Sequence, residues 1–124
     1  MPDRVIDASA MAALAFDDRA ARSVRDAVAG HRLHAPALLE FELAHAAWKR
    51  ARQFPDRAGD LADALDIVWQ LEVRYRPIDR RAVIETALQT GLTAYDASYL
   101  WLSRQLGVPL ITLDRKLAAH AERF

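Results

Sequence analysis

Four carboxylates stand where a fold of alternating strands and helices would bring them together. Asp7 directly follows one short apolar run, and Asp114 directly follows another. Asp96 falls in the first turn of a predicted helix, and Glu42 falls inside a second predicted helix. Carboxylates held close together repel one another, and a divalent cation relieves that repulsion. Oxygen ligands favour Mg²⁺ or Mn²⁺, and such an ion can activate water for phosphodiester hydrolysis.

Each of these acids also has a purely structural interpretation. Asp7 and Asp114 could each cap the helix that follows, and Thr93–Asp96 matches a capping box. With about 100° per residue, Glu42 lies roughly 60° or less from the buried line of its helix, whereas Glu40 falls nearer the solvent side. A carboxylate beside a buried line is costly unless it is paired or binds a metal. Capping alone does not explain why all four acids fall at strand ends or at a facing helix position.

The elements that would position these acids alternate along the chain. Short strands are predicted at residues 4–6, 32–35, 72–76 and 109–113. Helices are predicted at residues 8–16, 19–29, 37–53, 57–71, 79–91 and 93–106, and a last short helix opens at Asp114. This alternation favours an α/β protein, a three-layer α/β/α sandwich with a short, mostly parallel central sheet. In such sheets, sites form outside the carboxyl ends of the strands.

Composition narrows the classes of function. A chain of 124 residues fits one domain, which we expect to span residues 1–124. The sequence has no cysteine, which excludes disulfides, zinc–thiolate centres and thiol nucleophiles. The 17 basic and 17 acidic residues give a net charge of zero, which argues against indiscriminate nucleic-acid binding. An acidic pocket offset by a basic rim remains compatible with that balance.

The sequence predicts a cytoplasmic protein without a membrane partner. No apolar run approaches the ~20 residues that a membrane-spanning helix needs. The first residues, Met1–Arg4, lead directly into an apolar strand and leave no room for the charged and hydrophobic regions of a signal peptide.

Four motifs resemble those of PIN-domain proteins in order and spacing. Residues 5–9 (Val-Ile-Asp-Ala-Ser) look like the opening strand motif. Residues 36–43 are similar to the second motif, in which the acid six residues after the proline is the functional one, and this selects Glu42 over Glu40. Residues 92–100 resemble the third motif closely, and residues 109–114 resemble the fourth. The resemblance covers essentially the whole chain, and the ordered set is far more specific than any one motif.

Among PIN domains, the compact size is most similar to that of the VapC-type toxins of bacterial toxin–antitoxin pairs. This resemblance implies an endoribonuclease that depends on Mg²⁺ or Mn²⁺ and cuts tRNA or rRNA. It also implies a homodimer that a small antitoxin protein neutralises. We expect three of the acids to hold the ion directly or through water, namely Asp7, Asp96 and Asp114. Glu42 would complete this catalytic, metal-binding set or orient the attacking water.

Further residues are expected to support this site. The resemblance gives Ser9 and Thr112 the role of hydroxyls that hydrogen-bond the acids. Many relatives carry Asn three residues after the second acid, where this chain has His45, so a supporting hydrogen bond is retained with a different pH dependence. Arg115 and Lys116 follow Asp114 directly and are candidates for a phosphate contact.

Other basic and aromatic residues allow two interpretations each. The stretches 49–52 and 74–81 could contact phosphates or could be solvated helix faces. Trp48, Trp69 and Trp101 lie in predicted helices among Leu and Ala, which favours core or interface packing over base stacking. The four histidines lack metal-ligand spacing, and apart from His45 we interpret them as structural or surface residues.

Two other classes of function deserve comparison. A receiver-like phosphoacceptor domain is also doubly wound, but Asp7 lacks an acidic neighbour and the strand at 32–35 ends without an Asp. A catalytically inactive PIN-fold module could bind RNA or a protein. The presence of all four acids argues against it, because degenerate members should have lost at least one.

Overall fold

A short parallel sheet lies at the centre of the computed structural model, which describes residues 1–16 and 18–122. Within those residues four strands pair in the order β3-β2-β1-β4, namely β1 (Asp3–Ile6), β2 (Arg32–Ala35), β3 (Val73–Tyr75) and β4 (Leu110–Ile111). Val5 of β1 lies opposite both His34 and Leu110, and all three strand pairs are parallel. Val5 and Ile6 are completely buried, as expected for a central strand covered on both faces.

Helices fill the connections and form two groups. They are α1 (Ala8–Phe16), α2 (Ala21–Val28), α3 (Leu38–Gln53), α4 (Ala58–Val68), α5 (Arg80–Thr90), α6 (Ala94–Leu106) and α7 (Arg115–Ala121), with a 3-10 turn at Pro55–Arg57 before α4. Helices α1 to α4 pack on one another, whereas α6 packs on α5, α7 and β1. The predicted α/β sandwich with a parallel sheet is confirmed.

The ends of α5 and α6 follow from local sequence. Asp79 accepts a hydrogen bond from the amide of Ala82 at 3.1 Å, and Thr93 accepts one from the amide of Asp96 at 3.1 Å. Both helices end at a glycine in the left-handed region, Gly91 with φ 75° and Gly107 with φ 66°. These boundaries match the predicted ones.

Other predicted boundaries were too long. The last strand was expected at 109–113, but β4 covers only Leu110–Ile111. Beyond β4, the amide of Leu113 donates to Ser9 Oγ and the amide of Asp114 donates to Thr112 Oγ1. Side-chain hydroxyls therefore accept the hydrogen bonds that the carbonyls of a neighbouring strand would otherwise accept. The helix expected at 57–71 ends at Val68, and the helix expected at 19–29 covers Ala21–Val28. The domain expected at 1–124 includes Asp17, Arg123 and Phe124, which lie outside the described residues.

Core packing fixes how α3 and α6 face the sheet. Leu39 and Leu43 of α3 are completely buried, and so are Ala97 and Leu100 of α6. Because these positions point inward, the neighbouring acids are placed at the rim of the core rather than in it. Among the described residues, no helix is both long and apolar enough to cross a membrane.

Candidate active site

Asp7 occupies the position immediately after β1 and is 4% exposed. Its Oδ1 accepts hydrogen bonds from the amide of Ala10 at 3.0 Å and from Ser9 Oγ at 2.7 Å. Its Oδ2 accepts a hydrogen bond from Thr112 Oγ1. Burial raises the pKa of Asp7, and these three donors oppose that rise. Asp7 is therefore a cap of α1 and a constrained buried carboxylate at the same time.

The two hydroxyls beside Asp7 have fixed orientations. Ser9 Oγ accepts from the amide of Leu113 at 2.9 Å, and Thr112 Oγ1 accepts from the amide of Asp114 at 3.0 Å. Each hydroxyl therefore has its proton directed at Asp7, since each has only one to donate. This network ties the end of β1 to the segment after β4 and brings Asp114 to the same edge of the sheet.

Glu42 is half-buried on α3 and paired with a tyrosine of α6. The phenol of Tyr99 donates to Glu42 Oε1 at 2.6 Å, and Tyr99 itself is 1% exposed. Burial raises the pKa of Glu42, the bond from Tyr99 lowers it, and the negative charges of Asp96 and Asp7 raise it further. Glu40 is exposed, as its helical position predicted.

Asp96 is partly exposed in the first turn of α6. Burial raises the pKa of Asp96, and the nearby negative charge of Asp114 adds to the increase, whereas the positive charge of Lys116 opposes it. Asp114 is the N-cap of α7, and its Oδ1 accepts from the amide of Leu117 at 2.9 Å. The capping interpretation of Asp114 is therefore correct, and it does not remove Asp114 from the site.

The fold brings the four predicted acids near enough to one another for their charges to interact. The charge of Asp96 raises the pKa values of Asp7 and Glu42, and Asp114 raises that of Asp96. Among residues 1–16 and 18–122, however, no three Asp, Glu or His side chains are close enough to form a ready-made metal-binding cluster. The donors are carboxylates and hydroxyls, which suit a hard cation such as Mg²⁺. In this arrangement fewer than three carboxylates would bind one ion directly, and Mg²⁺ commonly uses one or two together with water.

Lys116 lies at the edge of this acidic site. Its Nζ donates to the carbonyl of Gly91 at 3.1 Å, and its charge acts on Asp96. Arg115 precedes it at the exposed start of α7. A phosphate contact by either residue stays a prediction.

His45 lies on the exposed side of α3. Its ring packs on that of Trp48, with 5.2 Å between the ring centroids. The hydrogen bonds described for Asp7 and Glu42 involve other partners. The structure therefore provides no observation that connects His45 with the acids, and its supporting role stays a prediction.

Comparison with known proteins agrees with this geometry. The family model described as PIN domain matches residues 4–123, which is nearly the entire chain. The chain belongs to the PIN-domain family. Membership of this family agrees with the parallel sheet, and it leaves the receiver-like interpretation without support.

Three relatives show which PIN proteins it resembles. Ribonuclease VapC3 of Pyrobaculum aerophilum is 34% identical over 119 residues, covering 92% of this chain and 91% of the relative. Exonuclease VapC9 of the same organism is 34% identical over 124 residues, covering 95% and 85%. The crystal structure of PAE2754 from Pyrobaculum aerophilum superimposes with a TM-score of 0.79 at 31% identity, covering 98% of this chain and 86% of that one. The predicted similarity to VapC proteins is confirmed.

Tyr99 is a residue of the candidate site to which the sequence motifs assign no role. The sequence gives one weak indication of its role, because a tyrosine in the buried part of a helix needs a hydrogen-bond partner for its hydroxyl. Tyr99 follows Asp96 by three residues, which places the two side chains on neighbouring positions of the same helix. The partner, Glu42, lies 57 residues earlier in the sequence and could not be identified without the fold.

Proposed function

We propose that this PIN-domain protein is a divalent-metal-dependent ribonuclease that hydrolyses RNA phosphodiester bonds at its acidic site. The observation that carries the proposal is the buried carboxylate of Asp7, held by three donors while Asp96 repels it. A fold keeps such an arrangement at a cost, and a bound cation offsets that cost. The naming of similar proteins as VapC nucleases supports the same conclusion.

Each acid has a defined task in this hypothesis. Asp7, Asp96 and Asp114 would hold Mg²⁺ or Mn²⁺, directly or through water. The bound ion would lower the pKa of a water molecule and stabilise charge on the cleaved phosphate. Glu42, with its carboxylate fixed by Tyr99, would orient the attacking water. Lys116, beside Asp96, would contact the phosphate on the substrate side.

Several finer parts of the proposal rest on the relatives. We infer that the substrate is a structured cellular RNA such as tRNA or rRNA, and that cleavage is internal. One relative is named an exonuclease, so the mode of cleavage needs its own experiment. A circular RNA has no ends, and its linearisation would demonstrate internal cleavage. We also infer a homodimer that a small antitoxin protein inhibits, as part of a toxin–antitoxin pair.

The first experiment is a cleavage assay on total RNA in Mn²⁺ and in EDTA, with the wild type and Asp96→Asn. Discrete fragments from the wild type in Mn²⁺ alone, absent for the variant, are expected. Fragments that persist with the variant would refute the proposed site. Binding of RNA without any cleavage by the wild type would instead favour an inactive binding module.

A matched pair on α3 sharpens the test. Glu42→Gln should reduce the cleavage rate by more than about 100-fold, since even residues that support metal ligands cost about 10- to 100-fold. Glu40→Gln removes the same charge from an exposed position on the same helix and should leave the rate unchanged. Equal effects of the two substitutions would contradict the role proposed for Glu42.

A further inference from the structure

One face of α3 carries a row of exposed aromatic and basic side chains. The row consists of Phe41, His45, Trp48 and Arg52, called here the α3 stripe, and all four are exposed. At about 100° per residue they fall within an arc of roughly 60°. Phe41 is 73% exposed and Trp48 is 50% exposed, so the core does not account for either ring. Trp48 therefore does not pack in the core, and the interface packing that its sequence context equally favours stays a prediction.

The members of the stripe are ordered by contacts with one another. The rings of His45 and Trp48 lie 5.2 Å apart with an angle of 34° between their planes. The guanidinium of Arg52 lies 4.7 Å from the centroid of the Trp48 ring. These contacts limit the rotamers that the side chains adopt, so a ligand that stacks on them loses less conformational entropy on binding.

The charge of α3 changes along its length. After Glu42 the helix has no acidic residue up to its end at Gln53. Lys49 and Arg52 are exposed on or beside the stripe, whereas Arg50 turns away and packs over the ring of Phe16 at 4.3 Å. The far part of the helix is therefore cationic and aromatic, and the near part ends at the proposed active site.

The position of the stripe connects it with that site. Phe41 adjoins Glu42, and from Phe41 to Arg52 the helix extends about 16 Å at 1.5 Å per residue. Aromatic rings interleaved with cations along a line are the features that bind single-stranded nucleic acid, because any base can stack on a ring while the cations contact the backbone. We propose that the α3 stripe binds a single-stranded segment of RNA that leads into the active site.

This inference rests on the proposed ribonuclease function and adds a surface outside the acidic site that holds the substrate. Bases stack on Trp48 and Phe41, and Lys49 and Arg52 contact phosphates. Double-stranded RNA keeps its bases stacked on one another and cannot use the rings in this way.

The test is fluorescence anisotropy with a fluorescein-labelled oligouridylate in EDTA, which separates binding from cleavage. Trp48→Ala should raise the dissociation constant for the oligouridylate by roughly five-fold or more, whereas Trp48→Phe should retain most of the affinity. Leu88→Ala is the matched control, because Leu88 is 80% exposed on α5, away from the stripe. Each of Lys49→Gln and Arg52→Gln should reduce the slope of log K against log salt by about 0.7.

Several results would overturn the inference. They are an unchanged affinity of Trp48→Ala, equal affinity for a duplex of the same length, and a change in oligomeric state on size exclusion without a change in RNA affinity. The last result would make the stripe an interface between copies of the chain. Asp96→Asn should abolish cleavage but bind the oligouridylate at least as tightly as the wild type does, because it removes only a negative charge from the end of the RNA path. Loss of cleavage and loss of binding are thereby distinguished. If stripe variants bind normally while the wild type cleaves, the inference fails and the ribonuclease proposal stands.

Discussion

Tyr99 and Glu42 are joined by a hydrogen bond of 2.6 Å between a buried phenol and a half-buried carboxylate. The bond links α6 to α3 and determines where the carboxylate of Glu42 lies. It lowers the pKa of Glu42, whereas burial and the charges of Asp96 and Asp7 raise it. Burial and Glu42 raise the pKa of Tyr99, so the phenol keeps its proton and remains the donor. Tyr99 is thus a positioning residue for Glu42.

Tyr99→Phe should shift the pH dependence of cleavage. Without the donor the pKa of Glu42 rises further, so more of the carboxylate is protonated at a given pH. The acidic limb of the pH–rate profile should move to higher pH, with a loss of about 1 kcal/mol of stability. Tyr95→Phe, at a 63% exposed position of α6, is the control. A Tyr99→Phe profile that superimposes on that of the wild type would contradict the assignment.

Thr112→Val and Ser9→Ala should each weaken the binding of the metal ion by Asp7. Both hydroxyls donate to Asp7 and lower its pKa, so their removal favours the protonated acid that cannot bind a cation. The concentration of Mn²⁺ needed for half-maximal cleavage should rise by about 10- to 100-fold, and excess metal should restore much of the rate.

The control for this pair is Thr90→Val on α5, where the hydroxyl donates to the carbonyl of Thr86 instead. It should leave the metal dependence unchanged. A Thr112→Val protein with the Mn²⁺ requirement of the wild type would show that the hydroxyl is structural only.

The sequence alone predicts where two of the acids lie. It gives Asp7 and Asp114 two interpretations each, as helix caps and as site residues, and the structure shows both capping bonds. A cap uses one carboxylate oxygen for a backbone amide, and the strand end before it directs the same side chain to the carboxyl edge of the sheet. The two interpretations were therefore compatible, because the same local geometry produces each.

Contacts between segments that are distant in the sequence could not be predicted from it. The position of Glu42 at the rim of the core was predictable from helical periodicity, but its pairing with Tyr99 depends on how α3 and α6 cross. The short length of β4 likewise follows from Ser9, whose hydroxyl takes the amide of Leu113 across 104 residues. Periodicity describes one element at a time and has no information about hydroxyls supplied by another element.

The stability of the metal-free protein should fall as pH rises towards neutral. Asp7, Glu42 and Asp96 have folded-state pKa values raised above their ordinary values of 3.8, 4.5 and 3.8, mainly by burial. Between the ordinary and the raised pKa values the folded state binds more protons than the unfolded state. The contribution of these three acids to the stability of the fold is therefore lost as pH rises through their folded-state pKa values. Asp3 has a lowered pKa and acts in the opposite sense, but only below its ordinary value of 3.8.

Metal should reverse this trend. Thermal unfolding in EDTA across pH 4 to 7 should show the decrease, and Mg²⁺ or Mn²⁺ should raise the melting temperature more at neutral than at acidic pH. Asp96→Asn should flatten the pH dependence in EDTA and reduce the response to metal. A melting temperature in EDTA that rises steadily to neutral pH, unaffected by Asp96→Asn, would refute this account of the charges.

His34 provides a prediction about stability away from the active site. It is 3% exposed on β2, its Nδ1 accepts from Arg76 Nε at 3.1 Å, and its Nε2 bonds to Asp3 Oδ1 at 2.9 Å. Since Nδ1 accepts from Arg76, Nε2 is the nitrogen that donates to Asp3. The imidazole thereby joins β1, β2 and the segment after β3 beside Val5, which lies opposite His34 in the sheet and two residues before Asp7.

His34→Leu should lower the free energy of unfolding by about 1–3 kcal/mol, because a buried ring and two of its hydrogen bonds are lost. The kcat of the folded protein should change little, since the ring bonds to Asp3 and Arg76 and to none of the four acids of the candidate site. Urea unfolding measures the first quantity, and cleavage at low temperature measures the second. His120→Leu, at a half-buried position of α7, is the control for the change of residue type. If His34→Leu abolished cleavage while its unfolding curve matched that of the wild type, the ring would belong to the catalytic machinery rather than to the sheet.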